Sequence, residues 1–309
     1  MSTDFSTGEP PIPVVRTQSW PCDRAAELEL TLDVGRIRVD LVPAGGAEDG
    51  EVRVEVRHDP GAGGTWAQGL GGLVSWLGSG GDDPEQVPAQ AVRAAEISWS
   101  DSARRLVVRS SEELPLRVVP LVVTVTAPEG SRVAARTSSG EVTVGGTAGW
   151  AAIRTGSGEA GVDAVSGDAD VTTGSGGVRL GPVGGRGRVR TGSGAVRLAA
   201  VHGATEVRSG SGEVLVTVVS ADLGVRTGSG AVTVSDARAG RLNLTSGSGD
   251  LRVGVHPGVV AELDLSSGSG SARSELDVGS VAPEHRAPLV VTGRTGSGDV
   301  LLTRAAVPS

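Results

Sequence analysis

RTGSGAVRL, at residues 190–198, returns with small changes along the second half of the chain. Close copies begin at Arg136 (RTSSGEVTV), Arg154 (RTGSGEAGV), Arg226 (RTGSGAVTV) and Arg294 (RTGSGDVLL). The last glycine of the motif stands at positions 140, 158, 176, 194, 212 and 230, and then at 249, 270 and 298. The first five intervals are 18 residues each, and a period that persists in this way is typical of a repeat architecture.

Apolar side chains keep a fixed spacing from this corner glycine. In the quoted stretch, Val196 and Leu198 stand two and four positions after it, and Val189 stands five positions before it. The same positions are apolar in nearly every copy, and the exceptions are Ser274 and Gly293. Apolar residues two apart predict a strand with one buried face on either side of each Gly-Ser-Gly corner.

A weaker glycine repeat, nine residues past the corner, divides each unit into two halves. The predicted fold is all-β: a single-stranded parallel β-solenoid, or β-helix, with 18-residue coils and Gly-Ser-Gly corners, whose strands stack about 4.8 Å apart. Glycine is expected at the corners because such bends often need a positive φ and because a side chain would obstruct the next coil. The corner Ser and Thr hydroxyls are expected to form hydrogen-bonded ladders between coils.

The remaining sequence is less regular. Residues 1–24, which are rich in proline, are expected to form a disordered tail, and residues 303–309 a short C-terminal tail. Residues 25–130 are interpreted as degenerate coils of the same rod, with a hairpin around Asp101, and residues 131–302 as the regular solenoid.

An apolar insertion near residues 62–80 interrupts the degenerate coils. It supplies five large apolar side chains: Trp66, Leu70, Leu73, Trp76 and Leu77. One interpretation is a cap that covers an open end of the solenoid, and the other is a surface that contacts a partner or a membrane.

Arginine recurs at the outward position before the corner, and acids recur just after it. The arginines are Arg136, Arg154, Arg190, Arg208, Arg226 and Arg294, and the acids are Glu141, Glu159, Glu213, Asp250 and Asp299. Stacked like charges repel, so one interpretation is that these acids neutralise the arginines. The other is that Arg154, Arg190, Arg208 and Arg226 form a stripe that binds an anionic ligand.

Composition narrows the classes of function. The net charge of −8 argues against a sequence-independent grip on nucleic acid, and all 28 cationic side chains are arginines because the sequence contains no Lys. Cys22 is the single cysteine, which excludes an intrachain disulfide and a thiolate metal cluster. The first 15 residues lack the basic start and apolar run of a signal peptide, so a cytoplasmic location is expected.

The residues do not predict an enzyme, a cofactor or a metal site. Each Gly-Ser-Gly is followed by a strand pattern, whereas a phosphate-binding loop needs a following helix. The aspartates do not recur at one position of the repeat, as the calcium ligands of a β-roll do. The six-residue periodicity of the hexapeptide acyltransferases is also absent. The four histidines stand far apart, without metal-ligand spacing.

The RTGSGxVxV columns, the preceding VTVTAPEGSRVAARTSSGEVTV at residues 123–144, and GRIRV at residues 35–39 resemble a bacterial β-strand-repeat family of unknown function. That family, domain-of-unknown-function family 4097, carries the label "putative adhesin". The resemblance covers roughly residues 25–302 and implies a non-catalytic repeat fold without catalytic residues to carry over. Many members are associated with the cell envelope through a transmembrane or secreted portion, which this sequence is not expected to have.

The predicted function is a non-enzymatic binding or scaffold role for a rod that presents one face or edge to an unidentified partner, expected to be a protein. A link to cell-envelope stress rests on analogy alone. One alternative is a self-assembling cytoskeletal rod similar to the bactofilins, with coils stacked end to end as an oligomer or filament. The other is peripheral binding to a membrane surface through residues 66–77.

Overall fold

A computed structural model describes residues 14–43, 50–59, 61, 86–276 and 288–306 of the chain. Nearly all regular structure in these ranges is β, apart from one α-helix, α1 (Val87–Ala94), and a 3-10 turn at Leu116–Val118. The strands before the regular coils are β1 (Val15–Pro21), β2 (Glu27–Val42), β3 (Glu51–His58), β4 (Glu96–Ser100), β5 (Arg105–Arg109) and β6 (Leu121–Pro128).

The regular coils each give one strand to each of two parallel sheets. The front sheet takes the strand before each corner: β7 (Arg132–Ser139), β9 (Trp150–Thr155), β11 (Ala169–Thr173), β13 (Gly187–Thr191), β15 (Thr205–Ser209), β17 (Leu223–Thr227) and β19 (Gly240–Ser246). The back sheet takes the strand after it: β8 (Val142–Ala148), β10 (Ala160–Val165), β12 (Val178–Leu180), β14 (Val196–Val201), β16 (Val214–Val219), β18 (Val232–Ala237) and β20 (Leu251–Val255).

Neighbouring strands are in register one period apart. On the front sheet Val189 pairs with Val207, and Val207 pairs with Val225; on the back sheet Val196 pairs with Val214. All five side chains are fully buried in one continuous core between the sheets. The predicted parallel β-solenoid with 18-residue coils is therefore confirmed.

Close packing between coils explains the corner glycines. Their backbone φ angles all lie outside the left-handed region, so the expectation of positive φ at the nine corners is wrong. A Cβ on Gly194 would overlap the carbonyl oxygen of Gly176 in the neighbouring coil, and the other corners show the same overlap. Glycine is needed there because the backbones of successive coils nearly touch.

In several coils the hydroxyl side chain before the corner ties the corner to the adjacent coil. Thr155 Oγ1 accepts a hydrogen bond from the N–H of Gly158 at 3.0 Å and donates one to the carbonyl of Gly140 at 3.1 Å. Ser246 and Thr295 make the same two contacts in their own coils. The expected ladder between coils therefore runs through this buried column.

The first long strand, β2, lies one coil in from the N-terminal end of the rod. Its first half pairs with β5 and β7 in the front sheet. Its second half, which begins at Gly35, pairs with β6 and β8 in the back sheet. The coil formed by β5 and β6 is consequently outside β2, although it follows β2 in the sequence.

Antiparallel strands and a helix close the N-terminal end. β3 pairs with β6 and β1 with β3, while β4 and β5 form the predicted hairpin around Asp101. Trp20 in β1 stacks on Trp99 in β4 with ring centroids 5.7 Å apart, which joins the outer edges of the two sheets. α1 packs against β1 and β3 and buries Val87 and Val92.

The proline-rich segment is a strand in part. Residues 1–24 were expected to be disordered, but Val15–Pro21 forms β1 and pairs with β3 along its whole length. Pro21 stands at the end of the strand and the other prolines precede it, so none interrupts the pairing. The expectation for residues 1–13 concerns a segment outside the described ranges.

The last two coils stack in the reverse of their order in the sequence, so the final coil lies inside the one that precedes it. Their strands are β21 (Ala261–Ser267), β22 (Ala272–Ser274), β23 (Leu289–Thr295) and β24 (Val300–Arg304). β23 lies between β19 and β21, and β24 lies between β20 and β22. Gly293, an exception in the apolar columns, pairs with Leu244 and Leu265, and a Cβ there would lie 3.2 Å from the side chains of Leu265 and Val300.

Candidate binding face on the front sheet

The arginines before the corners form one line, interrupted once by Thr172, on the outer surface of the front sheet. We call this line the arginine column; its members in spatial order are Arg136, Arg154, Thr172, Arg190, Arg208 and Arg226. All five arginines are exposed. Because adjacent strands lie about 4.8 Å apart, the column extends roughly 24 Å along the rod.

The acids that follow the corners do not neutralise the arginine column. They lie on the opposite side of the rod, where Glu159 pairs with Arg179 at 3.1 Å and Asp250 pairs with Arg252 at 3.2 Å. Asp299 accepts hydrogen bonds from Ser271 instead. The neutralising interpretation is therefore wrong, because the corner turns the chain onto the other sheet before these acids appear.

Most of the arginine column has no carboxylate partner. In the described part of the chain, Arg136, Arg154, Arg190 and Arg226 form neither an ion pair nor a side-chain hydrogen bond. Two guanidinium charges about 5 Å apart in water repel by somewhat under 1 kcal/mol. Within the column, Arg136 and Arg154 are the two unpaired arginines on adjacent strands, so this repulsion acts chiefly between them.

Arg208 is the paired member of the column. It donates hydrogen bonds to Glu206 Oε1, from Nε at 3.0 Å and from Nη2 at 2.6 Å. The Arg208 hydrogen bond holds the pKa of the Glu206 carboxyl below its usual value. Beyond the column, Arg294 pairs with Asp264 at 3.1 Å, so the unpaired stretch is confined to the regular coils.

A shallow groove of about 560 Å³ runs beside the arginine column on the same face. It is lined mainly by polar side chains: Trp150, Asp168, Asp170, Arg186, Arg188, Glu206, Asp222, Arg241 and Asn243. Cζ of Arg132 lies 5.0 Å from the Trp150 ring centroid, over one face of the indole. Aromatic, acidic, amide and guanidinium groups thus meet within a single concave surface.

The back sheet carries a second shallow cavity, of about 580 Å³, with a different charge pattern. Two of its arginines are paired, Arg38 with Asp40 at 2.9 Å and Arg179 with Glu159 at 3.1 Å. The column of arginines, four of them without an ion pair in the described part of the chain, therefore distinguishes the front face from the back face.

The remaining predictions from the sequence concern the apolar insertion, metal ligands and membrane spans. Trp66, Leu70, Leu73, Trp76 and Leu77 lie outside the described residues, so their role as a cap or a contact surface stays a prediction. Over the described ranges, no three His, Cys, Asp or Glu side chains are grouped as metal ligands. No described helix has the length and apolar character of a membrane span.

A model of the Toastrack DUF4097 family matches residues 120–303, which is more than half of the chain. The chain belongs to the Toastrack DUF4097 family. The matched region of this Toastrack protein includes the strands from β6 to β24, except the last residue of β24, and thus the arginine column and the groove beside it. β1 to β5 and α1 precede the match.

The Toastrack chain has distant likenesses among solved structures. A "putative adhesin" from Bacteroides fragilis aligns over 94% of this chain and 97% of its own, with 9% identity and a TM-score of 0.38. A "putative adhesin" from Parabacteroides merdae aligns over 94% of this chain and 96% of its own, with 10% identity and a TM-score of 0.38. No functionally curated protein matches the sequence.

Proposed function

We propose that this Toastrack protein is a non-enzymatic binding protein whose arginine column holds a linear polyanion along the side of the rod. The observation that carries the proposal is the set of exposed arginines at 136, 154, 190 and 226 in one column, which form no ion pair and no side-chain hydrogen bond among the described residues. A polyanion would relieve the repulsion between them and gain charge-assisted hydrogen bonds.

The parallel sheet makes this array rigid. Each arginine projects from a strand that is hydrogen-bonded on both sides, so the points from which the side chains extend keep a fixed spacing before any ligand arrives. The guanidinium group is planar and offers paired donors, which suits carboxylate, sulfate and phosphate groups. A regular polymer can therefore contact several arginines at once at little cost in ordering the protein.

The closed N-terminal end favours binding along the side of the rod. The Trp20–Trp99 stack and α1 cover the end where a second rod would have to continue the coils. This supports a binding protein over a bactofilin-like polymer. The cytoplasmic location stays a prediction from the sequence.

The test compares the two faces of the rod. The triple variant Arg154→Gln, Arg190→Gln, Arg226→Gln removes the charge of three unpaired members of the column. The control, Arg179→Gln, Arg197→Gln, Arg252→Gln, removes three exposed arginines from the back sheet. Arg197 lies in the coil of Arg190, and Arg179 and Arg252 lie one coil beyond Arg154 and Arg226. Both triple variants remove three positive charges, so their net charge is the same.

Binding is measured by titration calorimetry with inorganic polyphosphate and with polygalacturonate. The front variant should bind at least about tenfold more weakly than the wild type, because three charge-assisted contacts are lost. The log–log slope of affinity against salt should be about −3 for the wild type, since a flexible polyanion contributes about 0.7 per neutralised charge. Equal weakening by both triple variants, or no binding of either polymer, would refute the proposal.

A further inference from the structure

Resting on the proposed function, we infer that the polyanion is an acidic polysaccharide and that the groove beside the arginine column receives its sugar rings. The groove and the column share the outer face of the front sheet, two positions apart on each strand. Positions two apart on a strand are separated by about 7 Å. A sugar ring seated in the groove can therefore extend an acidic substituent to the arginines.

The carboxylates of the groove favour a ligand with hydroxyl groups. Asp168 accepts a hydrogen bond from the backbone N–H of Arg186 at 2.8 Å, and Asp222 accepts one from that of Arg241 at 2.9 Å. In each case Oδ1 is engaged, and Oδ2 makes no hydrogen bond to the described residues. The carboxylates of Asp168 and Asp222 are thus held in one orientation, and each keeps one oxygen available to accept a hydrogen bond from a ligand.

The same carboxylates disfavour a nucleic acid or polyphosphate as the natural ligand. Phosphate groups offer acceptors and negative charge but no donor, so the carboxylates of Asp168 and Asp222, which form no ion pair in the described part of the chain, would repel them. The other two acids of the groove are paired with arginines, Asp170 with Arg188 and Glu206 with Arg208. A polysaccharide instead presents hydroxyl donors to the acids and separate acidic groups to the arginines. Its chemistry therefore matches both the groove and the column.

Trp150 gives the groove an aromatic end. The indole is half-buried, and Arg132 lies over one of its faces and holds the ring in place. Trp150 also lines the groove next to Asp168. An aromatic ring beside polar groups is an amphipathic surface, on which the apolar C–H face of a sugar can pack while its hydroxyls reach the acids.

The experiment measures three probes against Trp150→Ala and Trp150→Phe. The probes are polygalacturonate, inorganic polyphosphate and single-stranded DNA. Trp150→Ala should weaken polygalacturonate binding about tenfold, which is the size of one aromatic packing contact, and leave the affinity for polyphosphate unchanged. Trp150→Phe should restore most of the loss. Thermal unfolding of both variants confirms that the coils remain folded.

The outcomes separate this inference from the proposed function. If polyphosphate and DNA bind as tightly as polygalacturonate, or if Trp150→Ala weakens all three equally, the polysaccharide assignment fails and the polyanion proposal survives. If no probe binds the wild type, both fail. Polygalacturonate binding that depends on Trp150 and on the arginine column supports both.

Discussion

At the scale of single residues, the corner glycines set the spacing of the coils. Gly194→Ala should lower the thermal unfolding midpoint by several degrees, because its Cβ would overlap the backbone of the neighbouring coil. Overpacking of this kind costs roughly 1–3 kcal/mol. The measurement is circular dichroism during heating, at matched protein concentration.

Gly224→Ala is the matched control for this substitution. Gly224 lies within β17 of the front sheet, where the nearest atom to an added Cβ would be the carbonyl oxygen of Thr205 at 4.0 Å. Its midpoint should stay within a degree or two of the wild type. If both variants unfolded alike, close approach between coils would not be the reason for glycine at the corners.

The sequence was sufficient to predict the buried columns, because a period of 18 residues places every inward valine in line. It was insufficient to decide whether the arginine column is neutralised. Arg154 and Glu159 are five residues apart, but the corner between them places their side chains on opposite sheets. Only the fold shows that Glu159 belongs to Arg179.

At the scale of elements, side-chain ion pairs hold β2 to β5 in addition to the backbone hydrogen bonds between the two strands. Glu29 in β2 forms ion pairs with Arg105 and with Arg109, the latter at 2.9 Å. The hydrogen bond from Arg109, followed by that from Arg105, holds the pKa of the Glu29 carboxyl below its usual value. A carboxyl with a depressed pKa stabilises the fold above its unfolded pKa, and this contribution is lost as the pH falls.

Glu29→Gln should therefore be less stable than the wild type at pH 7, and the difference should shrink as the pH approaches 3. The difference at pH 7 should be at most about 1 kcal/mol, because the pair is partly exposed to solvent. Urea unfolding at both pH values measures it. A difference that stayed constant with pH would mean that the carboxylate charge is not what holds β5 to β2.

The exchanged order of the end coils lay beyond sequence reasoning. The coil of β21 and β22 carries the same corner motif as that of β23 and β24, so either could occupy the inner place. The sequence features that mark this reversed order are the two exceptions to the apolar columns, Ser274 and Gly293. Ser274 belongs to the outermost coil, which is covered on one side only, and Gly293 fits between two leucines.

At the scale of the whole molecule, both ends resist continuation of the rod. The N-terminal end is covered by α1 and the Trp20–Trp99 stack. At the other end, β21 carries exposed Glu262 and Asp264, and antiparallel pairing with a second copy would bring these acids together. Charged residues on an edge strand oppose such pairing.

Purified protein should accordingly stay a monomer or a small oligomer as its concentration rises from micromolar upward. Light scattering gives the mass, and negative-stain images of the same samples show the shape. Filaments whose length grows with concentration would contradict the account of closed ends and would favour the bactofilin-like alternative.

The central claim concerns which arginines meet the ligand, and NMR of arginine side chains tests it most directly. The Nε–Hε signals of protein labelled with ¹⁵N-arginine are followed as inorganic polyphosphate is added, and single Arg→Gln variants assign them. The account predicts shifts for Arg136, Arg154, Arg190 and Arg226, with Arg179 and Arg252 on the back sheet unchanged. Shifts centred on the back sheet, or spread evenly over the arginines, would contradict it.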